Sequence, residues 1–329
     1  MPGALSMLVL LLTGTVLAVQ WNSLQVGGAQ REAASSLSVR GAAGPALHAT
    51  TRIPAAASPP FSSSWLRRAV SPGLGFQAAS GVVVDVDSRS LLWARAPRAA
   101  RAPASLAKIM TAMVAADLAP LDRQVRVPSE AAGVESDSTV MGLSAGEVVP
   151  LRDLMYGVFL SSGNDAAETL ASALTDRQHF IQLMNRKAAD LGMLDSHFTN
   201  PTGLDDPGMR STAYDMAVAA ATLATHYPDL LAIAGSRQAV LGGGTGHKAF
   251  DLHALNRLLG MYPGATGLKT GYTGDAGYCL VGTATRGNRH LVAVVMGDGL
   301  SLTADAVKLL DYGFSVTPAR VPEGVWRGA

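Results

Sequence analysis

Residues 105–118 read SLAKIMTAMVAADL. Apolar residues recur in this stretch at the spacing of one helix face, at Leu106, Ile109, Met110, Met113 and Val114. Alanine and threonine fill most of the other positions, so the predicted helix is apolar nearly all round. A helix of that kind is buried on every side. The stretch therefore predicts a helix that begins at Ser105 and lies in the middle of a domain.

Strands are predicted on both sides of this helix. Early in the chain, two apolar runs flank a polar turn, and they predict strands at 81–85 and 91–93. Late in the chain, three apolar runs predict strands at 267–272, 277–285 and 290–297. Helical patterns occupy 151–160, 165–174, 178–191, 213–225 and 302–310. This order predicts an α+β domain in which early and late chain form one antiparallel sheet, flanked by helices and carrying a helical subdomain.

The 329-residue chain is longer than a usual single domain, so we expect one large domain and a non-globular segment. An apolar run of 15 positions at 5–19, with no Lys or Arg before it, predicts a signal peptide or N-terminal anchor over 1–19. Residues 20–75 are rich in Ala, Ser and Pro and predict a disordered linker, because such a segment buries little apolar surface. The folded domain is expected over 76–316, followed by a tail over 317–329.

Charge and cysteine content exclude several classes of function. The formal net charge is +1 and no long basic block occurs, which argues against a nucleic acid as partner. Cys279 is the single cysteine, so no intramolecular disulfide can form, and its apolar neighbours predict a buried, unreactive thiol. The seven histidines show no metal-ligand spacing, so we expect no metal.

Three short polar motifs occur in order along the chain. They are Ser105-Leu-Ala-Lys108, Ser162-Gly-Asn164 and Lys269-Thr-Gly271, and each pattern occurs once. Any one of them alone is most often a helix cap, a turn or a strand edge. The triplet resembles the set of motifs found in penicillin-binding proteins and class A β-lactamases.

The first motif also makes chemical sense by itself. Positions i and i+3 of a helix share a face, so the Ser105 hydroxyl and the Lys108 amine can come within hydrogen-bond reach. At a helix start, free backbone N–H groups favour a developing oxyanion. For Lys108 to act as a base it must be neutral, and lowering its pKa from ~10.4 to ~7 requires roughly 4 to 5 kcal/mol from its environment. Burial and a second cation, for which Lys269 is the candidate, can supply this.

Over residues 78–314 the sequence resembles the low-molecular-mass penicillin-binding proteins, the serine-type D-Ala-D-Ala carboxypeptidases. The matching text includes PASLAKIMT at 103–111, SGNDAA at 162–167, NPTGL at 200–204 and GLKTGYT at 267–273. The resemblance implies the DD-peptidase/β-lactamase-like fold. It also implies removal of the terminal D-alanine from peptidoglycan pentapeptides through an acyl-enzyme, outside the cytoplasmic membrane. β-Lactam antibiotics would act as covalent inhibitors, and no cofactor would be needed.

The resemblance also implies a role for each motif residue. Ser105 would be the acylated nucleophile and Lys108 its general base. Ser162 would pass a proton to the leaving D-alanine. Asn164 would bind the peptide carbonyl of the substrate and would also contact Lys108.

The third motif would bind the other end of the substrate. Lys269, Thr270 and Gly271 are the expected substrate-binding residues, with the first two on the terminal carboxylate. The backbone N–H groups of Ser105 and Tyr272 would form the oxyanion hole.

Three alternatives share these motifs. A DD-endopeptidase of the same family would cut cross-links, and a non-catalytic sensor would bind peptidoglycan or β-lactams without turnover. A class A β-lactamase would need a deacylating glutamate between the second and third motifs, where no Glu lies between Glu168 and Lys269. Many relatives carry a further β-rich domain and an amphipathic helix after the catalytic domain, whereas only 15 residues follow Phe314. We therefore expect any membrane association to run through the N-terminus.

Overall fold

The computed structural model describes residues 72–134 and 138–317. The strands within them are β1 (Ser80–Asp85), β2 (Ser90–Arg95), β3 (Gln124–Arg126), β4 (Val148–Pro150), β5 (Gln238–Leu241), β6 (Phe250–His253), β7 (Ala265–Thr273), β8 (Gly277–Arg286) and β9 (Arg289–Asp298). The helices are α1 (Lys108–Leu118), α2 (Ser129–Ala132), α3 (Leu151–Phe159), α4 (Asn164–Leu174), α5 (Arg177–Asp190), α6 (Ala213–His226), α7 (Pro228–Ala234), α8 (Leu258–Met261) and α9 (Leu302–Ser315).

The main sheet has five antiparallel strands in the order β2-β1-β9-β8-β7. The two early strands join the three late ones where β1 pairs with β9, with Val83 opposite Ala293. The prediction of one antiparallel sheet built from both ends of the domain is confirmed. Strand β7, which carries Lys269, Thr270 and Gly271, is an edge strand of this sheet.

Helices cover both faces of this sheet. Successive residues of a strand point to opposite faces, and in β1 all six residues are buried. Val82 and Val84 join a cluster that contains the apolar residues of α1 and α6. Val83 joins a second cluster with Leu309 and Leu310 of α9. The sheet is therefore a middle layer, with α9 on one face and the helical region on the other.

The central helix is buried as predicted, but it begins later than expected. Residues 108–115 of α1 are all buried. Ser105 lies before the α-helix, in a 3-10 turn over Ala104–Ala107 that follows Pro103. Ala104 has a left-handed φ of +49°, which an α-helix does not accommodate, so the regular helix starts only at Lys108. Side chains three residues apart eclipse in a 3-10 turn, which keeps Ser105 in line with Lys108.

The remaining predicted elements agree in type with the structure, and the missed elements are short. Strands β3 and β4 form one small ladder, and β5 and β6 form another. Each of these strands has seven residues or fewer, and so does each of the helices α2, α7 and α8. Elements this short contain too few repeats of a hydrophobic pattern to be recognised from the sequence.

The predicted terminal segments lie almost wholly outside the described residues. These are 1–19, most of 20–75, and the tail after residue 317, so the domain boundaries stay predictions. Pro72 and Gly75 contact the folded domain, because their carbonyls accept hydrogen bonds from Trp93 Nε1 (2.9 Å) and Lys308 Nζ (2.6 Å). Taken singly, no helix in the described chain is long and apolar enough to cross a membrane; α6 and α7 meet that test only as a pair bent by 110°.

Candidate active site

Ser105 and Lys108 form the centre of the site. Lys108 Nζ lies 2.8 Å from Ser105 Oγ. Lys108 is fully buried, whereas Ser105 is partly exposed and lines a cavity. The turn at 104–107 thus presents a hydroxyl to solvent directly above a buried amine, as the spacing of three residues predicts.

Two further oxygen atoms surround the Lys108 amine. Lys108 Nζ donates hydrogen bonds to Asn164 Oδ1 at 2.6 Å and to the carbonyl of Thr202 at 2.8 Å. Asn164 is the first residue of α4, which packs against α1. The first and second motifs therefore meet at the amine, although 56 positions separate Lys108 from Asn164.

The surroundings of Lys108 favour its neutral form. Burial lowers its pKa well below the usual value, and the nearby Lys269 cation lowers it further. The carboxylates of Glu168 and Asp165 oppose this shift but do not overcome it. Burial and the second cation are the two causes that the sequence predicts.

The role of Lys269 as a substrate-binding residue stays a prediction. Lys269 is fully buried and, unlike Thr270, does not line the cavity. Its Nζ donates a hydrogen bond to the carbonyl of Thr270 at 2.8 Å, and burial lowers its pKa to about 7. When Lys269 is charged, it lowers the pKa of Lys108 by electrostatic repulsion.

Ser162 and Asn164 are held by a neighbouring segment of chain. Ser162 is 3% exposed and has a left-handed φ of +59°. Thr139 Oγ1 donates to the Ser162 carbonyl at 2.9 Å, and Asn164 N donates to the Thr139 carbonyl at 2.8 Å. A non-glycine residue in this region of φ costs on the order of 1 to 2 kcal/mol, a strain that is common at functional sites.

Asp165 supports this neighbouring segment. Asp165 lies in the first turn of α4, where its charge interacts favourably with the helix dipole. In the structure its carboxylate accepts hydrogen bonds from the backbone N–H groups of Met141, Gly142 and Leu143, at 2.8 to 2.9 Å. This contact spans more than 20 residues, so no local pattern could reveal it.

A second support lies at residues 200–204. Asn200 Oδ1 accepts hydrogen bonds from Thr202 N, Thr202 Oγ1 and Gly203 N, which close a tight turn. The turn aims the Thr202 carbonyl at Lys108. In the sequence, this segment stands out only because it is part of the resemblance to the family and because it contains the turn-forming residues Asn, Pro and Gly.

A cavity of about 1410 Å³ opens over these groups. Six of the predicted site residues line it: Ser105, Ser162, Asn164, Thr270, Gly271 and Tyr272. The three motifs therefore converge on one cavity, with the two lysines buried behind its wall.

Gly271 is needed for the close approach of β7 to the nucleophile. A Cβ atom at this position would lie 2.8 Å from Ser105 N and 3.0 Å from Ala104 Cβ. Such distances leave no room for a larger residue. The glycine of the third motif thus lets the edge strand pack directly on the backbone of Ser105.

The single cysteine lies outside this cluster of motif residues. Cys279 is fully buried and burial raises its pKa to about 11, as expected of an unreactive thiol. In residues 72–134 and 138–317, no group of three or more His, Cys, Asp and Glu side chains is placed to hold a metal ion.

Comparison with known proteins places this geometry in context. The Peptidase S11 family model, described as D-alanyl-D-alanine carboxypeptidase, matches residues 67–299. D-alanyl-D-alanine carboxypeptidase DacF of Bacillus subtilis is 35% identical over 248 residues, which are 74% of this chain and 63% of DacF. DacB2 of Mycobacterium tuberculosis is 36% identical, over 73% of this chain and 84% of DacB2. The chain thus spans less than two thirds of DacF.

Solved structures with the same fold include a DD-transpeptidase of Streptomyces K15. Its TM-score is 0.69 at 29% identity, and the match covers 75% of this chain and all of the transpeptidase. An evolved penicillin-binding protein homologue from Mycobacterium tuberculosis has a TM-score of 0.69 at 35% identity, covering 75% of this chain and 95% of the homologue.

Proposed function

We propose, on the premise that the chain belongs to the Peptidase S11 family of serine-type D-Ala-D-Ala carboxypeptidases, that it removes the terminal D-alanine from peptidoglycan stem peptides. The reaction proceeds through an acyl-enzyme on Ser105. The observation that carries this proposal is the 2.8 Å separation between Ser105 Oγ and the fully buried amine of Lys108.

Hydrogen-bond counting supports Lys108 as the base. A neutral amine has two N–H donors and one lone pair. Asn164 Oδ1 and the Thr202 carbonyl can only accept, so they occupy both donors. The lone pair then faces the hydroxyl of Ser105, which donates its proton to it. Burial lowers the pKa of Lys108 and so favours this neutral form.

Acylation follows from this arrangement. Ser105 Oγ bonds to the carbonyl carbon of the penultimate D-alanine while its proton passes to Lys108 Nζ. The carbonyl oxygen becomes an oxyanion, which the backbone N–H groups of Ser105 and Tyr272 stabilise. When the C–N bond breaks, the leaving nitrogen receives a proton through Ser162, and Lys108 returns to neutral.

Hydrolysis of the acyl-enzyme completes the cycle. A water molecule adds to the ester carbonyl, the bond to Ser105 Oγ breaks, and the serine regains its proton. Glu168 is the last glutamate before the third motif, and both of its carboxylate oxygens are held by Arg177, at 2.7 and 2.9 Å. This ion pair supports a peptidase over a β-lactamase, because rapid deacylation would need a glutamate free to activate water.

The proposed substrate indicates on which side of the cytoplasmic membrane the protein acts. Peptidoglycan lies outside the cytoplasmic membrane, and the apolar run at 5–19 supports export. β-Lactams present a carboxylate and a reactive carbonyl like those of D-Ala-D-Ala, so we also propose that they acylate Ser105.

Digestion of a defined pentapeptide tests the proposed function. We expect release of free D-alanine and covalent labelling of Ser105 by a fluorescent penicillin, located by mass spectrometry. Cleavage of purified cross-linked muropeptides with no D-alanine released from the pentapeptide would instead identify an endopeptidase. Labelling without turnover of either substrate would identify a sensor.

The acylation rate should depend on pH through Lys108. The amine accepts a proton only when neutral, so the rate rises with pH through a pKa far below that of an ordinary lysine and levels off above it. Lys269→Met removes a repelling cation, which raises the pKa of Lys108 and moves the rise to higher pH. Penicillin-labelling rates across pH check this. A profile that does not move in Lys269→Met would contradict the electrostatic role.

Gly271→Ala should slow acylation far more than it affects folding. The added methyl group displaces Ser105 N from its position in the oxyanion hole, and loss of one such donor typically costs on the order of 10²-fold in rate. Labelling rates and thermal midpoints measure the two effects. Gly242→Ala is the control, because its Cβ would meet nothing within 4 Å. Equal rates in the two variants would show that the close approach is unimportant.

A further inference from the structure

Asp205 places a carboxylate in the wall of the cavity. Within residues 72–134 and 138–317, it is the one acidic residue that lines the cavity. None of the Lys, Arg and His side chains in those ranges forms an ion pair with it; Lys308, which also lines the cavity, pairs with Asp305 instead. The cavity therefore presents a negative charge that the described residues do not neutralise.

Two hydrogen bonds hold this carboxylate at the end of β7. Asp205 Oδ1 accepts a hydrogen bond from Thr273 Oγ1 at 2.6 Å, and Oδ2 accepts one from the backbone N–H of Asp275 at 3.2 Å. A carboxylate can accept about four hydrogen bonds. Part of its accepting capacity is therefore left for a ligand, next to Thr273, which itself lines the cavity.

The proposed mechanism determines which part of a substrate reaches Asp205. Thr270 is expected to bind the terminal carboxylate, and the backbone N–H of Tyr272 the carbonyl of the penultimate D-alanine. A peptide held in this way runs along β7 from its C-terminus at Thr270 towards Thr273. Each residue of an extended chain advances by about 3.3 Å. The substrate residue that precedes D-Ala-D-Ala therefore lies beside Thr273 and Asp205.

We propose that Asp205 binds a cationic side chain, such as that of lysine or another diamino acid, on the substrate residue that precedes D-Ala-D-Ala. The inference rests on the proposed function and names the class of stem peptide that the site prefers. An ammonium group donates hydrogen bonds to a carboxylate and is attracted by its charge. The Thr273 hydroxyl holds the carboxylate in position for this contact. An acidic side chain at the same place is repelled.

Three peptides that differ in one side chain test the contact. Each has the form Nα-acetyl-X-D-Ala-D-Ala, in which X is lysine, Nε-acetyl-lysine or glutamate. The rate constant kcat/KM for release of D-alanine is measured for each peptide at low ionic strength, where charges are screened least. We expect the wild type to use the lysine peptide best and the glutamate peptide worst.

Asp205→Asn should remove this order. It should lower kcat/KM for the lysine peptide by about two- to fivefold, the range of an ion pair that is open to solvent, because Asp205 is exposed. The acetyl-lysine peptide has no charge at this side chain, so its kcat/KM should not change. The glutamate peptide should react faster, because a repelling charge is lost. Asp205→Glu keeps the charge and should retain part of the preference.

Asp206→Asn is the matched control. Asp206 is also exposed, but it does not line the cavity, and its Oδ1 accepts a hydrogen bond from Gly208 N at 2.9 Å within its own turn. Removal of this charge should leave the order of the three peptides as it is in the wild type.

A purely structural role for Asp205 predicts a different result. Its two hydrogen bonds join the segment 200–206 to β7, so a variant that only loosens this connection slows all three peptides alike. Equal slowing of the three peptides by Asp205→Asn would overturn the inference. So would a wild type that does not distinguish lysine from acetyl-lysine.

The two proposals fail in different ways. If the wild-type chain releases no D-alanine from any of the three peptides, the proposed function is wrong and the inference falls with it. If it releases D-alanine from all three without regard to their charge, the proposed function stands and the role of Asp205 is wrong.

Discussion

Ser105→Ala should abolish both penicillin labelling and D-alanine release. Within the described residues, Ser105 supplies the one hydroxyl that is hydrogen-bonded to the buried amine of Lys108, so no acyl-enzyme should form without it. Loss of a serine nucleophile lowers turnover on the order of 10⁶-fold in a comparable hydrolase. Intact-mass measurement after incubation with penicillin checks the first effect, and a D-alanine assay checks the second. Folding should be retained, because Ser105 is partly exposed.

Ser161→Ala is the control for this variant. Ser161 lies next to the second motif, but its Oγ donates to the Gly157 carbonyl at 2.9 Å and takes no part in the cluster around Lys108. Its labelling rate should match the wild type. Covalent labelling that survives in Ser105→Ala would place the nucleophile elsewhere and end the proposed mechanism.

Lys108→Arg should reduce the acylation rate by about 10² to 10⁴-fold, the range typical of general-base catalysis. Arginine keeps the positive charge and several N–H donors, but it cannot be deprotonated in a protein, so it cannot accept the proton of Ser105. The larger guanidinium also has to fit where the lysine is fully buried. Stopped-flow or timed labelling with penicillin measures the rate.

Lys187→Arg is the control for Lys108→Arg. It shows whether replacing a buried lysine by the larger arginine lowers the acylation rate even where no base is lost. Lys187 is 7% exposed and pairs with Asp117 at 2.6 Å. An arginine there can keep that ion pair, so the labelling rate should not change. Near-normal acylation in Lys108→Arg would mean that the proton of Ser105 goes to a different group.

Elements with several turns or alternations could be predicted from the sequence, because their pattern repeats within the element. The buried helix α1 and the strands β1, β7, β8 and β9 are of this kind. The predicted start of α1 was three residues too early. The left-handed φ of Ala104 is a property of the folded turn and cannot be recognised from hydrophobic periodicity.

The pairing of Ser105 with Lys108 also follows from sequence, because a separation of three residues in one turn places both side chains on one face whatever surrounds them. The burial of Lys269 and the position of the Thr202 carbonyl at the amine of Lys108 do not follow from it. Each depends on how segments tens of residues apart pack together, and a distance of that kind is set by the whole core rather than by neighbours in the chain. The sequence alone thus predicts the reacting groups, whereas tertiary packing decides how deeply each of them is buried and which atoms it contacts.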